Sequence, residues 1–214
     1  MSEVIALETL RRQNPKDLAV LAQLGSLYAV KKDYAKAIDL YSTVLKARPK
    51  EAAVLIMRAE TLVNAGRRAE ALTDYDKSLA LQPKDVAVLN NLAWLLATAP
   101  EANLRDGRRA VMLATQACRM TDYKKDFILS TLAAAYAESG DFDSAVKWSS
   151  KAAELGAKNK EYGASLKKEL ASYQAKKPWR EPSSEQAKEK ETKKTETKSP
   201  APKAEEKNPE GEKK

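Results

Sequence analysis

Histidine is absent from this 214-residue sequence, and several other residue types are scarce. Without histidine, the chain lacks the side chain that most often serves as a general base and as a zinc ligand. The single cysteine, Cys118, has no second cysteine in the sequence with which to form a disulfide. We therefore expect packing alone to stabilise the fold, and we predict no metal or other cofactor.

Glycine and phenylalanine are rare, with seven and two residues, and runs of β-branched residues are absent. Alanine and leucine supply most of the apolar residues, a composition that favours helices over strands. No apolar run approaches the roughly 20 residues that a membrane-spanning helix needs. We therefore predict an all-α protein with no membrane span. The acidic N-terminus, unlike a signal peptide, favours a cytoplasmic location.

The formal net charge of +8 raises the question of nucleic-acid binding. Residues 181–214 contain nine lysines and nine glutamates, whose charges cancel. The excess therefore belongs to residues 1–180, where 29 lysines and arginines face 21 aspartates and glutamates. Many helical domains with such a moderate positive charge bind no nucleic acid, so a nucleic-acid partner is predicted to be the less favoured one.

One short phrase recurs at a fixed spacing. Pro15-Lys16-Asp17 returns as Pro49-Lys50-Glu51 and as Pro83-Lys84-Asp85, each 34 residues after the last. Proline resists the interior of a helix, and an acidic residue at a helix N-terminus favours the helix dipole. Each phrase therefore predicts the end of one helix and the beginning of the next, in units of one helix–turn–helix.

Small and large apolar residues return in matching columns in four successive units. The first helix of each unit has a small residue among large ones, at Gly25, Ala59, Ala93 and Ala133. The second helices repeat an alanine, at Ala37, Ala71, Ala110 and Ala145. Helices approach closely only where the side chains between their axes are small, so these columns predict the contact within each helix pair.

Period, turn residues and at least six columns together resemble the tetratricopeptide repeat (TPR) family over about residues 18–155. The resemblance implies a right-handed α-solenoid with a capping helix at each end. Its predicted parts are a cap at 2–13, repeats at about 18–51, 52–85, 86–125 and 126–156, and a cap helix at 158–175. In the third repeat the spacing from Ala93 to Ala110 is five residues longer than the spacing from Ala59 to Ala71 in the second, with Pro100, Asn103 and Asp106-Gly107 in the extra loop. The third repeat is similar to that of a subset of bacterial TPR proteins.

The two ends of the predicted solenoid, 1–180, differ in character. Residues 2–13 have no partner helix before them, so they are either a native cap or the boundary of a fragment. In the last helix, Tyr162, Leu166, Leu170 and Tyr173 are expected to face inward, and Lys167, Lys168 and Glu169 to face solvent. From 181 to 214 no apolar residue is larger than alanine, which predicts a disordered tail rich in Lys, Glu and Pro.

The stacked first helices are expected to form a concave wall. The candidate groove residues on it are Gln23, Ser26, Ile56, Met57, Glu60, Asn90, Asn91, Trp94, Phe127 and Thr131. The four large apolar residues would anchor a ligand, and the asparagines would bond a peptide backbone. Alternatively, Trp94 and Phe127 pack against the next repeat. The wall holds no Lys or Arg, which disfavours the TPR subclass that binds C-terminal carboxylates of chaperones.

No phosphate loop, nucleophile–base pair or metal-ligand cluster occurs in the sequence, so we predict no enzyme. The preferred hypothesis is a non-catalytic scaffold that binds a protein partner, as a peptide or helix, in the concave groove. One alternative is a nucleic-acid-associated scaffold that uses basic turns, at Arg67, Arg68, Arg105, Arg108 and Arg109. Another is an interaction module cut from a larger secreted protein or enzyme. The oligomeric state is left open.

Overall fold

A computed structural model of the chain describes residues 3–183 and residue 186. These residues form ten α-helices and one short 3-10 helix, Ala102–Leu104, and no strand occurs among them. The helices are α1 (Glu3–Gln13), α2 (Leu18–Val30), α3 (Tyr34–Ala47), α4 (Ala52–Asn64), α5 (Arg68–Leu81), α6 (Val86–Thr98), α7 (Gly107–Met120), α8 (Asp126–Glu138), α9 (Phe142–Gly156) and α10 (Lys160–Gln174). The predicted all-α class is confirmed.

Helices pack in consecutive pairs, α2 with α3, α4 with α5, α6 with α7 and α8 with α9. Each pair also packs on the next, so the pairs stack into a solenoid. At its two ends α1 packs on α2 and α10 packs on α9. The predicted solenoid of repeats with a helix at each end is therefore confirmed. The described residues from 3 to 181 belong to one compact unit.

The recurring Pro-Lys-acid phrase begins helices, as predicted, but its acidic residue acts in two ways. The Asp17 carboxylate accepts from the N–H groups of Ala19 and Val20, and Asp85 accepts from Val88. These bonds satisfy donors that the first turn of a helix leaves unpaired. Glu51 occupies the same place before α4 but makes no side-chain capping bond. The glutamate side chain is one methylene longer than that of aspartate and does not cap α4, yet the helix begins at the equivalent place.

The column of small residues is buried because it lies against the second helix of each pair. A Cβ built on Gly25 would lie 2.6 Å from Cε1 of Tyr41, whose ring is buried. Ala59, Ala93 and Ala133 are also fully buried. Any larger side chain at these positions would separate the two helices, as the sequence pattern indicated.

The extra loop of the third repeat is held against the end of α8. The Arg105 guanidinium donates to the carbonyls of Ala99 and Pro100 and to the Glu138 carboxylate, at 2.9, 3.1 and 3.0 Å. A Cβ on Gly107 would meet the backbone nitrogen of Ser139 at 2.6 Å. The loop and α8 therefore fit closely, and α6 packs on α8 as well as on α7.

The N-terminal helix α1 buries little apolar surface. Leu7 is buried, whereas Leu10, one turn further along the helix, is 47% exposed. The hydroxyl group of Tyr28 on α2 donates to the Glu8 carboxylate at 2.9 Å. The buried Leu7 side chain and the Tyr28–Glu8 hydrogen bond are thus two contacts that attach α1 to the solenoid.

After α10, at the C-terminal end of the solenoid, the chain turns back at Lys176, which adopts a φ of +53°. Residues 177–181, which we call the returning segment, then reach the end of α6. The backbone N–H of Glu181 donates to the carbonyl of Thr98 at 2.9 Å. We predicted residue 181 as the first of a disordered tail, but the structure places it with the folded unit. Residues 184, 185 and 187–214 of the predicted tail lie outside the described residues.

Candidate functional site

The concave side bears a cavity of about 790 Å³, bounded by α4, α6, α8, α10 and the returning segment. Six of the ten predicted groove residues line it: Glu60, Asn90, Asn91, Trp94, Phe127 and Thr131. They come from three successive first helices, α4, α6 and α8. Stacking of the repeats therefore brings together residues that are up to 71 positions apart.

The other four predicted residues, Gln23, Ser26, Ile56 and Met57, do not line this cavity. Gln23 is exposed, and Ile56 is half-buried against the core. The Ser26 hydroxyl lies 3.1 Å from the Tyr41 hydroxyl and donates to the Met57 sulfur at 3.5 Å. Ser26 and Met57 are thus bonded to each other across the first and second repeats.

Trp94 and Phe127, predicted as apolar anchors, have different surroundings. The Trp94 ring is half-buried against the core, and its indole N–H donates to the Glu181 carboxylate at 3.2 Å. Phe127 is 48% exposed. Trp94 therefore has a partner within the chain, whereas Phe127 presents an open apolar surface at the cavity.

The asparagines keep hydrogen-bonding capacity. The side-chain amide nitrogen of Asn90 donates to the side-chain oxygen of Asn91, and that of Asn91 donates to the Glu60 carboxylate, both over a long 3.4 Å. The side-chain oxygen of Asn90 is buried and has no partner. Desolvation by the wall raises the pKa of the Glu60 carboxyl, although that side chain is open to solvent. An extended peptide backbone could use these groups as donors and acceptors.

Thr131 lines the cavity with little surface, because it is buried and its hydroxyl donates to the Phe127 carbonyl on its own helix. Its neighbour Ser130 donates to the Glu169 carboxylate at 2.6 Å. Sequence reasoning did not select Ser130, since a serine within a helix carries no pattern of its own.

Glu169 is a groove residue that the sequence analysis placed wrongly. It was expected on the solvent side of the last helix, but it is only 4% exposed and lines the cavity. Burial raises the pKa of its carboxyl, and the hydrogen bond from Ser130 opposes that shift. The spacing held a usable signal, because Glu169 follows Leu166 by three residues and precedes Tyr173 by four, and both of these are buried.

Four of the five arginines proposed as a basic rim take part in ion pairs. Arg67 pairs with Glu70, Arg68 with Glu101, Arg105 with Glu138 and Arg109 with Asp76. The fifth, Arg108, is exposed. The positive charge of these four arginines is therefore compensated by carboxylates of the same chain, and two of them, Arg68 and Arg105, are largely buried.

Neither a metal site nor a reactive thiol is found in the part of the chain that the structure describes. Within it, no three His, Cys, Asp or Glu side chains are arranged to hold a metal ion. Nor does this part contain a helix long and apolar enough to cross a membrane. The Cys118 thiol is buried, and burial raises its pKa to about 12. Its Sγ donates to the Ile128 carbonyl at 3.8 Å.

A protein family described as "Tetratricopeptide repeat" matches this sequence over residues 6–52 and 56–103. Among the curated proteins, none matches it. Similar solved structures include MamA 41-end from Desulfovibrio magneticus RS-1, with 19% identity, a TM-score of 0.64 and coverage of 73% of this chain and 85% of that one. A tetratricopeptide repeat protein from Parabacteroides merdae is 18% identical, with a TM-score of 0.69 and coverage of 81% of this chain and 66% of that one. A thermophilic TPR protein from Thermus thermophilus is 20% identical, with a TM-score of 0.57 and coverage of 80% of this chain and 89% of that one. At these identities the likeness shows the fold.

Proposed function

Because this chain belongs to the tetratricopeptide repeat family, whose fold is typical of scaffolds for protein–protein interaction, we propose that it binds a protein partner in its concave groove without catalysing a reaction. The observation that carries the proposal is the cavity of about 790 Å³ on the concave side. Its size falls within the range of roughly 300–1,000 Å³ that is usual for ligand pockets.

The lining of the cavity fits an extended peptide. Phe127 offers an exposed apolar surface for a side chain of the partner. Asn90 and Asn91 offer amide groups, including one buried oxygen without a partner, for bonds to a peptide backbone. Peptide recognition combines such main-chain bonds with pockets for side chains.

The same lining argues against a nucleic acid as the partner. Glu60 and Glu181 border the cavity, and the arginine that also lines it, Arg68, is paired with Glu101. Carboxylates repel phosphate groups at short range. The turns that would supply a basic rim have most of their arginines in ion pairs. A protein or peptide partner is therefore the occupant that the charges favour.

Site-specific photocrosslinking in the native organism tests this proposal. A photoreactive amino acid replaces Phe127 at the cavity, and in the control it replaces Met112, an equally apolar and 68% exposed residue of α7 outside the cavity. We expect a discrete protein adduct from position 127 and none from position 112. Adducts from both positions, or only a nucleic-acid adduct, would contradict the proposal.

Calorimetry with the identified partner segment then tests the residues that bind it. Asn90→Ala should weaken binding by about 0.5–1.5 kcal/mol if the amide makes one hydrogen bond to the partner. Arg108→Glu, a charge reversal on an exposed side chain, should leave the affinity unchanged. Affinity should depend weakly on salt, whereas phosphate binding weakens steeply as salt rises. A steep salt dependence that Arg108→Glu reduces would support the nucleic-acid alternative instead.

A further inference from the structure

We propose that the returning segment, residues 177–181, is an intramolecular strap that occupies one end of the groove and must be displaced when a partner binds there. The inference rests on the proposed function only in using the same groove. The strap itself is visible in the contacts of this chain and can be tested without a partner.

Three consecutive residues of the strap are fixed to the solenoid. Trp179 packs against the main core cluster and lines the cavity. Arg180 pairs with Glu138 on α8 and donates to the carbonyl of Ala97 at 3.3 Å. Glu181 uses both its backbone N–H, which reaches the Thr98 carbonyl, and its carboxylate, which accepts from the Trp94 indole. The segment thus lies in the groove as a bound peptide would.

The polar groups that bind the strap have other hydrogen-bonding partners available when it leaves. Ala97 and Thr98 are the last residues of α6, so their carbonyls have no partner within the helix, and water can replace the strap there. Glu138 also accepts from Arg105, so its carboxylate stays paired when Arg180 leaves. Opening therefore leaves no buried charge unpaired, which is the event that makes the loss of an ion pair costly.

The strap sets the conditions under which a partner binds. A short link after Gln174, the last residue of α10, holds it near the groove, at an effective concentration on the order of millimolar. A partner segment competes with it, so its apparent affinity falls with the fraction of open chains. A competing segment would need a backbone donor for Thr98 and an acceptor for the Trp94 indole. An extended segment with an acidic residue supplies both.

Hydrogen exchange of the Trp94 indole, followed by NMR in the full chain and assigned with Trp94→Phe, reports the closed strap. We expect slow exchange in the wild type and much faster exchange in Arg180→Glu, where two carboxylates would face each other at Glu138. Lys167→Glu, the same reversal of charge on an exposed side chain of α10 outside the strap and the cavity, should behave like the wild type. If Arg180→Glu does not fold, Glu181→Ala removes the indole's acceptor and serves instead. Exchange that neither variant accelerates would overturn the proposal.

A fluorescein-labelled peptide with the sequence of residues 176–184 tests occupancy directly. We expect it to bind the Arg180→Glu chain at least about tenfold more tightly than the wild type, whose own strap competes. Equal binding to both chains, or to neither, would overturn the strap. So would a Trp94 exchange rate that rises on dilution together with dissociation of a dimer, because the segment would then come from a second copy. Failure to find a partner through Phe127 would refute the proposed function and leave these results standing.

Discussion

Arg58 and Asp74 form a two-point ion pair between α4 and α5, with Nε–Oδ2 and Nη2–Oδ1 distances of 2.7 Å. Asp74 is only 2% exposed, and a further guanidinium nitrogen of Arg58 donates to Ser42 on α3 at 3.0 Å. In the first repeat, the two equivalent positions are the buried apolar residues Leu24 and Leu40. The second repeat thus replaces an apolar contact by a charged one and links it to the first.

Breaking this pair and replacing it should have opposite effects on stability. Asp74→Leu alone leaves a partly buried guanidinium without its partner, and we expect it to destabilise the fold by about 3–5 kcal/mol. Adding Arg58→Leu restores the apolar pair of the first repeat and should recover most of that loss or exceed it. Urea unfolding followed by circular dichroism measures both. A double variant as unstable as Asp74→Leu would show that the pair itself stabilises the packing.

Gly25 of α2 lies directly against the Tyr41 ring of α3, and Gly25→Ala should destabilise the fold by roughly 1–3 kcal/mol. The added Cβ would lie 2.6 Å from the Tyr41 ring, which is buried and close to the Ser26 hydroxyl. Thermal unfolding checks this value. The matched comparison is Ala59→Gly at the equivalent, fully buried position of the second repeat, which loses helix propensity, about 1 kcal/mol, and the burial of one methyl group, about 0.8 kcal/mol, without any clash. A Gly25→Ala variant that is more stable than the wild type would mean that Tyr41 moves freely.

The sequence predicted the architecture well because each pattern of helix starts and helix contacts occurs several times in a repeat protein. The 34-residue phrase located successive helix starts, and the small column that begins at Gly25 located the contact between helices. Contacts that occur in one repeat alone were harder to predict. Arg58 occupies a position where the other three repeats have leucine, at Leu24, Leu92 and Leu132, and only the fold shows that Asp74 lies opposite it.

The site was less predictable, because it depends on a segment that carries no periodic signal. The positions of Trp94 and Phe127 on the wall followed from the repeat, and both line the cavity. The return of residues 177–181 depends on a backbone reversal at Lys176 and on the free carbonyls at the end of α6. Neither feature can be recognised from residue composition, so the sequence of residues 177–181 gives no sign that this segment returns to the solenoid.

Cys118 should be unreactive toward thiol reagents in the folded protein. Burial raises the pKa of its thiol to about 12, so near neutral pH almost none of it is the thiolate that reacts. We expect Ellman's reagent to label it slowly under native conditions and at once after denaturation in guanidinium. Rapid labelling of the native protein would show that the end of α7 opens to solvent.

Glu169 should make the stability of the fold depend on pH in the direction opposite to that of most carboxylates. Its pKa is raised, first by burial and also by the charge of Glu181, while hydrogen bonds from Ser130 and Ser165 oppose the shift. The folded chain therefore keeps this proton at a pH where the unfolded chain has lost it. The resulting stabilisation is complete below the ordinary glutamate pKa of about 4.3 and is lost as the pH rises through the higher folded value.

Comparison with Glu169→Gln isolates this contribution, because every other titrating group is shared. We expect the free energy of unfolding of the wild type to fall, relative to that of Glu169→Gln, as the pH is raised from about 4 to about 8. Glu154→Gln, which neutralises an exposed carboxylate on α9, is the matched control and should not change the pH dependence. Urea unfolding at several pH values gives the difference. A wild type that gains stability relative to Glu169→Gln over this range would mean that the charged carboxylate is stabilised in the groove.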